Sequence, residues 1–508
     1  MIEGLIWLKK PLILVVTQRR LSFFDGRIIF FNLTLLNLFQ NIIEILKSHR
    51  MSLGILILFL NFSAGAITWP SGFDPYKDTL SRDKLGQVGT KSVYYLSNQY
   101  QNPKTKSVQL FETRIVRPAD ENDFSLGIDL EGQFSVSQQM FNSFTSNEFY
   151  FRMDPLWSGA TLYLGRKRSN WSTLDDRWKL GVWQPTYKID ALNPHTQGLT
   201  GLFVNFKKDN WSLEFFGTPF FLPDHGPEVQ TRNGEFVKGH PWVQYPPSEV
   251  ILNGVVTPAY YHIDNPSIPE VIVNTGYGMN FQWGESENEG WTARAAYAYK
   301  PLNQLLLGFD GDFNFTERLE INVHPQVGFH KVASLDGSYR SENWSTYIGL
   351  IEDRPDRTSF EAPWTYQNFL TSHLMGAGVD YFTNSIRIGF SVIHRQGGES
   401  VVEGPRASLT NQVLPDRFLF QDLVKTELSY SGDLGARWSY ELMGEWRREI
   451  REKSEIVSGQ GALLMGPFWK AFLGIDLLKS ENKVAGKADF IKSYQANDRV
   501  YGGLQYAF

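Results

Sequence analysis

The chain has 508 residues, no cysteine and a net charge of -5, and 15% of its residues are aromatic. The absence of cysteine excludes disulfide bonds, thiolate metal sites and cysteine nucleophiles. The small net charge gives no reason to expect nucleic acid as a partner. Mean hydropathy is -0.28, which excludes a helical membrane protein. It is compatible with a membrane β-barrel, because half of each barrel strand is polar.

A secretory signal peptide is predicted at 46–66. A basic region, a short apolar region and a small-residue cleavage site follow one another at 47–50, 53–62 and 64–66. Signal peptides open a chain, so residues 1–45 are interpreted as a mis-annotated or leader extension, with translation starting at Leu46 or Met51. The alternative is a genuine long leader. The mature chain would begin near Ile67.

Short runs of alternating apolar and polar residues recur from residue 90 to the C-terminus, after a predicted periplasmic segment at 67–89. In the clearest run one face is apolar, and the other carries Arg437, Glu441, Glu445 and Arg447. Side chains alternate along a strand, so one face suits lipid and the other an aqueous lumen. The runs predict an all-β fold at 90–508: a single large antiparallel transmembrane β-barrel of 16–20 strands, with 18–20 favoured, and long inserted loops.

Twenty runs qualify as strands, including 304–314, 318–335 and 483–491. Asp310, Asp312 and Glu320 are then expected to face the lumen. Tryptophans at strand ends are expected to form interfacial girdles, namely Trp283, Trp291, Trp344 and Trp469.

Four stretches are too long to be turns: 167–197, 217–271, 353–371 and 397–419. Counting strands back from a periplasmic C-terminus puts the first two stretches outside the cell or in the lumen. The last two would lie in the periplasm. Three tight turns would then be extracellular, those at 383–384, 432–434 and 465–467.

The stretch 217–271 is rich in proline, which makes its backbone stiff and extended. Folded inward, it could narrow or plug the lumen. Its aromatic side chains could stack on sugar rings, whose C–H faces are apolar: Trp242, Tyr245, Tyr260 and Tyr261. The alternative is an ordered external loop without a ligand.

The stretch 166–190 mixes both signs of charge with tryptophan. Charged rings tune pore selectivity, so its side chains are candidates for the lumen or a constriction: Arg166, Arg168, Trp171, Asp175, Asp176, Arg177 and Trp178. The alternative is a solvated, salt-bridged loop.

No catalytic motif is found among the serine-hydrolase, zinc-protease, P-loop and paired-cysteine patterns. The nearest acid-base groups are Asp224 with His225, and Asp310 with Asp312, which are interpreted as polar lining. The histidines show no metal-ligand spacing. We therefore predict no enzyme activity, no metal and no cofactor.

The chain ends on an alternating strand, 498–508. Its spacing, Tyr501-x-Gly503-x-x-Tyr506-x-Phe508, resembles the C-terminal assembly signal of bacterial outer-membrane proteins, in which a terminal Phe is typical. The resemblance implies a Gram-negative outer-membrane barrel inserted by the barrel assembly machinery and surrounded by outer-membrane lipid and lipopolysaccharide. The alternative is the closing strand of a soluble sandwich.

These features favour an outer-membrane channel or exporter for hydrophilic solutes, with saccharides and polysaccharide among the candidates, whose polar lumen is narrowed by inserted loops. Long periplasmic loops would suit a periplasmic export partner, by analogy of architecture alone. Two other classes stay open: a structural or adhesive barrel that anchors partner proteins, and an outer-membrane hydrolase.

Overall fold

A computed structural model describes most of residues 85–508, and the predicted signal peptide and N-terminal extension lie outside the described residues. The described ranges are 85–96, 106–119, 124–136, 138–157, 159–237, 240–252, 254–264, 266–284, 289–314, 318–358, 365–404, 414, 416–435, 437–481 and 490–508.

Eighteen antiparallel strands form one closed barrel, in which each strand pairs with the next along the chain. The ring closes where the first strand pairs with the last, with Gln87 opposite Ala507. The prediction of a single large antiparallel β-barrel is confirmed, and 18 lies within the predicted range. The strands are β1 Gly86–Tyr95, β2 Ser107–Arg117, β3 Ser125–Ser135, β4 Ser143–Trp157, β5 Ala160–Lys167, β6 Leu199–Lys208, β7 Trp211–Thr218, β8 Gly276–Trp283, β9 Gly290–Pro301, β10 Phe329–Arg340, β11 Trp344–Pro355, β12 Ser372–Phe382, β13 Ile386–Gly397, β14 Asp422–Asp433, β15 Trp438–Glu449, β16 Ser454–Met465, β17 Trp469–Ser480 and β18 Arg499–Ala507.

The two faces of the barrel strands differ as their sequence alternation predicts. On β13, Ile388 and Phe390 point outward and are about half exposed, whereas Ile393 and Arg395 point inward and are buried. An apolar outer face and a polar inner face are what a barrel needs in a bilayer, where no water is available outside and every backbone group must pair between strands. The fold is therefore that of a transmembrane β-barrel of the outer-membrane type.

Aromatic side chains cluster at the end of the barrel that carries Gly86 and Phe508, called here the termini end. They meet as directly opposed pairs on neighbouring strands: Trp211 with Trp283, Trp291 with Tyr339, Trp344 with Tyr381, and Trp469 with Tyr506. The four tryptophans expected to form girdles all lie in these pairs. Rings of this kind suit the boundary between hydrocarbon and headgroups.

All four long stretches leave the barrel at the opposite end, called here the loop end, because odd-numbered strands run away from the termini end. The placement of 353–371 and 397–419 on the side of the C-terminus is therefore wrong, as is that of the three tight turns on the other side. Two strand assignments caused the error. β17 pairs directly with β18, so the ring has no place for a strand between them, and the predicted strand 483–491 lies largely outside the described residues. The predicted strand 304–314 belongs to an inserted hairpin. Each surplus strand assignment reverses the side of the membrane assigned to every residue before it in the chain. The assignment at 483–491 therefore reversed the side of 353–371 and 397–419. The assignment at 304–314 reversed the side a second time, so 167–197 and 217–271 were again placed away from the C-terminus.

The insertions at the loop end form a separate six-stranded sheet. It holds Asp310, Asp312 and Glu320, so the prediction that these residues lie on barrel strands facing the lumen is wrong. Their alternation is real, but it belongs to the two faces of this second sheet. In spatial order the strands are Glu249–Leu252, Val255–Ile263, Arg318–Gln326, Leu306–Asn314, Thr365–Phe369 and Ser400–Glu403.

Two small hairpins and a few short helices complete the described structure. The hairpins pair Thr186–Tyr187 with His195–Thr196 and Thr231–Arg232 with Glu235–Phe236. The helices are α1 Thr173–Trp178, α2 Ile268–Ile272 and α3 Phe490–Tyr494, with 3-10 turns at Gln139–Phe141 and Gln495–Asn497. Among the described residues, no helix is long and apolar enough to cross a lipid bilayer.

Candidate functional site: a charged lumen crossed by an inserted loop

The connection between β5 and β6, residues 168–198, folds into the barrel interior and is called here the crossing loop. Its helix α1 is preceded by the N-cap residue Ser172, whose hydroxyl accepts a hydrogen bond from the Asp175 amide at 3.4 Å, as an N-cap serine does. The same hydroxyl donates to the Asp336 carboxylate on β10 at 3.1 Å. The Leu174 amide donates to that carboxylate at 3.4 Å. A buried wall carboxylate thus holds the start of the helix.

The crossing loop is also held together by its own side chains. Lys179 ends α1 in the left-handed conformation, with φ of 49°. The buried Asp175 carboxylate then accepts the Val182 and Trp183 amides, both at 3.1 Å. Trp171 and Trp183 stack with ring centroids 5.2 Å apart. The loop is therefore a folded unit with its own internal packing.

A glycine pair in the wall makes room for α1. Gly349 on β11 and Gly376 on β12 lie directly opposite each other and face inward. A Cβ atom added at Gly349 would lie 2.8 Å from Leu174 Cβ, and one at Gly376 would lie 2.5 Å from Leu174 Cδ1. Contacts that short are not tolerated between carbon atoms, so the close approach of helix to wall depends on both glycines.

The C-terminal end of α1 is fixed to β12 and β14, on the side of the barrel opposite β5. The Arg177 guanidinium donates to Asp380 on β12 at 2.5 Å, and the Arg177 carbonyl accepts from Lys425 Nζ at 3.4 Å. Lys425 is on β14, nine strands from β5 in a ring of 18, so the loop reaches across the barrel. Trp178 Nε1 also donates to the Tyr347 hydroxyl, at 3.2 Å.

The returning half of the crossing loop is pinned to another part of the wall. The Arg499 guanidinium on β18 donates to Asp190 at 2.8 Å. Burial alone would raise the pKa of Asp190, but the positive charges of Arg499 and Lys91 and the hydrogen bonds from Arg499 and Asn193 together outweigh it and hold this pKa well below its usual range. The carboxylate is therefore charged at neutral pH. With anchors on both sides, the crossing loop divides the interior.

The divided interior leaves a cavity of about 690 Å³ between the crossing loop and the inner faces of β12 to β18. Its described lining contains eight basic and seven acidic side chains. On β14 and β15, Lys425 lies opposite Arg447 and Glu427 lies opposite Glu445. Lys425 pairs with Glu427 at 3.0 Å, and Arg447 pairs with Glu445. The wall is highly charged, but its charges largely compensate one another.

Six sequence-predicted residues line this cavity, and both predicted loops contribute to it: Arg177, Trp178, Trp242, Glu445, Arg447 and Tyr501. The crossing loop supplies the first two, and the wall strands supply the last three. Trp242 comes from the proline-rich stretch, which reaches the lumen with this residue.

Other predicted residues lie inside the barrel but off the cavity. Arg168 joins a buried cluster on the opposite wall, where it pairs with Asp129 at 2.9 Å and with Glu148 at 3.2 Å. Glu441 pairs with Lys470 at 3.6 Å. Burial, together with the neighbouring Asp175, raises the pKa of Asp176 to about 8. Trp171 and Asp175 are structural residues of the crossing loop.

The remaining lumen predictions are corrected by the structure. Arg166 shares a strand face with outward-pointing Leu164, and it donates to the Gly198 carbonyl at 3.0 Å. Arg437 is an exposed turn residue at the termini end. Asp310 accepts from Asn322 at 2.6 Å within the inserted sheet, and Glu320 pairs there with His262. Alternation alone cannot distinguish the barrel from this second sheet.

Three of the four aromatic residues that were predicted to plug the lumen make their contacts within the inserted segments instead. Tyr261 is buried in the sheet and donates to the Pro247 carbonyl at 3.0 Å. Tyr260 lies under the Arg318 guanidinium, 5.0 Å from its ring centroid. The Tyr245 hydroxyl accepts the His240 amide at 3.2 Å. Of the four, only Trp242 lines the cavity among the residues that the structure describes.

Sequence reasoning missed the residues that position the crossing loop: Asp336, Asp380, Lys425, Arg499 and the Gly349–Gly376 pair. The signal was a charged or small residue on the polar face of a strand, but that face carries many such residues. Which of them meets the loop depends on strand register and on the loop's path, and neither is local.

The acid-base candidates are engaged in structural contacts. Asp224 accepts the Thr186 amide at 2.7 Å and pairs with Lys188 at 2.9 Å. Among the described residues, no group of three or more His, Asp or Glu side chains is arranged to hold a metal ion.

No known protein family model matches the sequence, and no curated protein is significantly similar to it. Several solved structures resemble this chain at low sequence identity. Pseudomonas aeruginosa OpdQ is 12% identical over 84% of this chain and 99% of its own, with a TM-score of 0.40. Acinetobacter baumannii OccAB2 is 11% identical over 85% and 99%, with a TM-score of 0.41. The Pseudomonas aeruginosa outer-membrane protein OpdK is 10% identical over 84% and 99%, with a TM-score of 0.41. Likeness at this level assigns neither a family nor a solute.

Proposed function

We propose that this chain is an outer-membrane channel for small hydrophilic solutes, with the crossing loop as its constriction. The observation that carries the proposal is the cavity of about 690 Å³ between that loop and a charged wall, inside a closed barrel. An 18-stranded barrel is too wide to be filled by its own side chains. An inserted segment that fills part of it while leaving a charged passage is the arrangement of a selective pore.

The balance of charge along the passage supports hydrophilic solutes in general. Paired charges such as Lys425 with Glu427 offer donors and acceptors at short intervals without a large net field. They hydrate the passage and can exchange water for solute hydroxyl, carboxyl or amino groups. The barrel surface supports residence in outer-membrane lipid and lipopolysaccharide, and the terminal strand supports insertion by the barrel assembly machinery.

Export of polysaccharide is the less favoured form of the proposal. A polymer needs a continuous wide path, and the crossing loop is anchored on both sides, through Asp380 and through Arg499. The long insertions leave the barrel at the loop end, away from Phe508, so they offer nothing to an export partner beside the C-terminus. Passage of solutes below the size of a short oligosaccharide fits this geometry better.

A solute-size series tests the proposal. The purified barrel is placed in liposomes, and swelling is followed with arabinose, glucose, maltose, raffinose and a polyethylene glycol of about the size of the cavity or larger. We expect swelling that falls steeply with solute size and is absent with the polymer. A folded barrel that gives no swelling with any solute, or equal swelling with all of them, contradicts a constricted channel.

A further inference from the structure

Four aromatic rings form a continuous row along one side of the cavity, called here the aromatic row. Phe420 meets Phe490 with centroids 5.7 Å apart. Phe490 meets Tyr494 at 5.0 Å, and Tyr494 meets Trp242 at 5.4 Å. All four residues line the same cavity. They come from three different insertions, so the row exists only in the folded protein.

The aromatic row is held from behind. Ile491 is fully buried against Ile456 and Leu478 of the wall. The Tyr494 hydroxyl donates to the Trp242 carbonyl at 3.2 Å. The Arg499 guanidinium lies 5.5 Å from the Trp242 ring centroid. These contacts fix the ring positions before any ligand arrives, which lowers the entropic cost of binding.

Charged groups face the same space. Arg395 pairs with Asp416 at 3.0 Å, and Lys188 pairs with Asp224 at 2.9 Å. The described lining is close to neutral, with eight basic and seven acidic side chains. A lining of this kind does not select a strongly charged solute. It does suit hydroxyl groups, each of which both donates and accepts hydrogen bonds.

We propose that the aromatic row is a binding subsite for the ring of a small neutral saccharide. This inference rests on the proposed channel function and specifies its substrate class. One face of a pyranose presents C–H groups that can pack on aromatic rings, and its edge presents hydroxyls toward the charged wall. The cavity of about 690 Å³ falls in the range of small-molecule sites and accommodates one or two sugar rings.

The test is calorimetric titration of the full-length barrel in detergent with glucose, mannitol and glucuronate. Mannitol carries a similar set of hydroxyls but has no ring. We expect glucose to bind at least about ten-fold more tightly than mannitol, since only glucose can stack on the aromatic row. Glucuronate is expected to bind within about three-fold of glucose, because the lining is nearly neutral.

Substitutions in the aromatic row give the second readout. Phe420→Leu and Tyr494→Leu keep apolar volume but remove a ring, and each should weaken glucose binding by about three- to ten-fold. Tyr494→Phe retains the ring and should bind nearly as the parent does. Phe390→Leu removes a ring from the lipid face and serves as the control. Heat-modifiable mobility of each variant verifies the folded barrel.

Three results would overturn the inference: equal affinity for glucose and mannitol, binding of glucuronate without glucose, or undiminished affinity in both leucine variants. Potassium chloride conductance of the same preparations separates the two levels of the proposal. Conductance without glucose binding overturns the saccharide subsite and leaves the channel. Glucose binding without conductance leaves the subsite and overturns the channel.

Discussion

Gly349 and Gly376 face each other on adjacent strands where Leu174, in the helix of the crossing loop, packs against the wall. The absence of two side chains therefore decides how close the loop lies to the barrel. Gly376→Val should destabilise the protein by about 1–3 kcal/mol through overpacking, and should alter single-channel conductance by displacing α1.

The control for this change is Gly337→Val on neighbouring β10. There a new Cβ would meet only Ile348, at 3.7 Å on the outer face. Urea unfolding and conductance of the two variants provide the comparison. If Gly337→Val and Gly376→Val behave alike, the glycine pair has no special role in seating the loop.

Asp380 holds two cavity arginines at once, Arg177 at 2.5 Å and Arg387 at 3.2 Å. Asp380→Asn should cost about 1–3 kcal/mol, because it leaves buried charged donors poorly paired. It also removes one negative charge beside the passage, which makes the local net charge more positive by one unit. The reversal potential in a salt gradient should therefore move toward the anion equilibrium potential.

Asp433→Asn makes the same charge change at the exposed last residue of β14, at the termini end, and should leave the reversal potential unchanged. An unchanged reversal potential in Asp380→Asn would mean that ions do not pass along the wall near Arg177.

Asp176 gives the crossing loop a pH dependence. Burial, followed by the charge of Asp175, raises its pKa to about 8, above the usual value of 3.8. The folded state therefore binds a proton that the unfolded state releases near pH 4, so this contribution to stability is fully present below pH 4 and is lost as pH rises through about 8.

Asp176→Asn imitates the protonated form and removes this dependence. Its stability advantage over the parent should grow as pH rises from 4 to 8 and level off above 8, as measured by urea unfolding at a series of pH values. An advantage that is constant with pH would show that Asp176 ionises normally in the folded protein.

The C-terminal residue closes the barrel through its backbone. Phe508 N donates to Gly86 O at 2.9 Å, and Phe508 O accepts the Leu85 and Gly86 amides at 2.8 and 3.1 Å. Phe508→Ala keeps these bonds, so a barrel refolded in detergent should lose less than about 1 kcal/mol of stability, as for an exposed side chain.

If the terminal ring is an assembly signal, Phe508→Ala should still reduce the amount of heat-modifiable barrel formed in cells several-fold. Tyr506→Ala allows a second residue of the predicted signal to be compared with it. Gly503 is not suitable, because a Cβ there would lie 2.1 Å from the Thr90 carbonyl oxygen and would disturb the barrel itself. Normal assembly of Phe508→Ala in cells would contradict the resemblance to that signal.

The barrel could be predicted from the sequence because the rule behind it, the alternation of apolar and polar side chains along each strand, is local. In the run from Arg437 to Arg447, alternation alone separates Trp446 from Glu445, and the structure places these side chains on opposite faces. The same rule failed at Asp310 and Glu320, since a strand of an inserted sheet alternates in the same way. It also suggested a strand at 483–491, which reversed the side of the membrane assigned to the loops 353–371 and 397–419.

The candidate site was predicted only in composition. The mixture of charge and tryptophan around Arg177 and Trp178 identified a segment that does line the cavity. The partners of that segment, Asp336, Asp380 and Lys425, are more than 150 residues away in the chain, and their roles depend on the closed ring. The aromatic row was missed for the same reason, because Phe420, Phe490 and Trp242 meet only after three insertions fold together.

The central claim is that the crossing loop constricts an open barrel, and single-channel conductance in a planar bilayer tests it most directly. The parent chain is compared with a variant in which residues 170–196 are replaced by a short Gly-Ser turn, and with a control that shortens the external hairpin at residues 250–256. We predict steady conductance in the parent, a several-fold increase in the loop replacement, and no change in the hairpin control. Conductance that is absent in all three folded barrels, or unaltered by the replacement, would contradict the account.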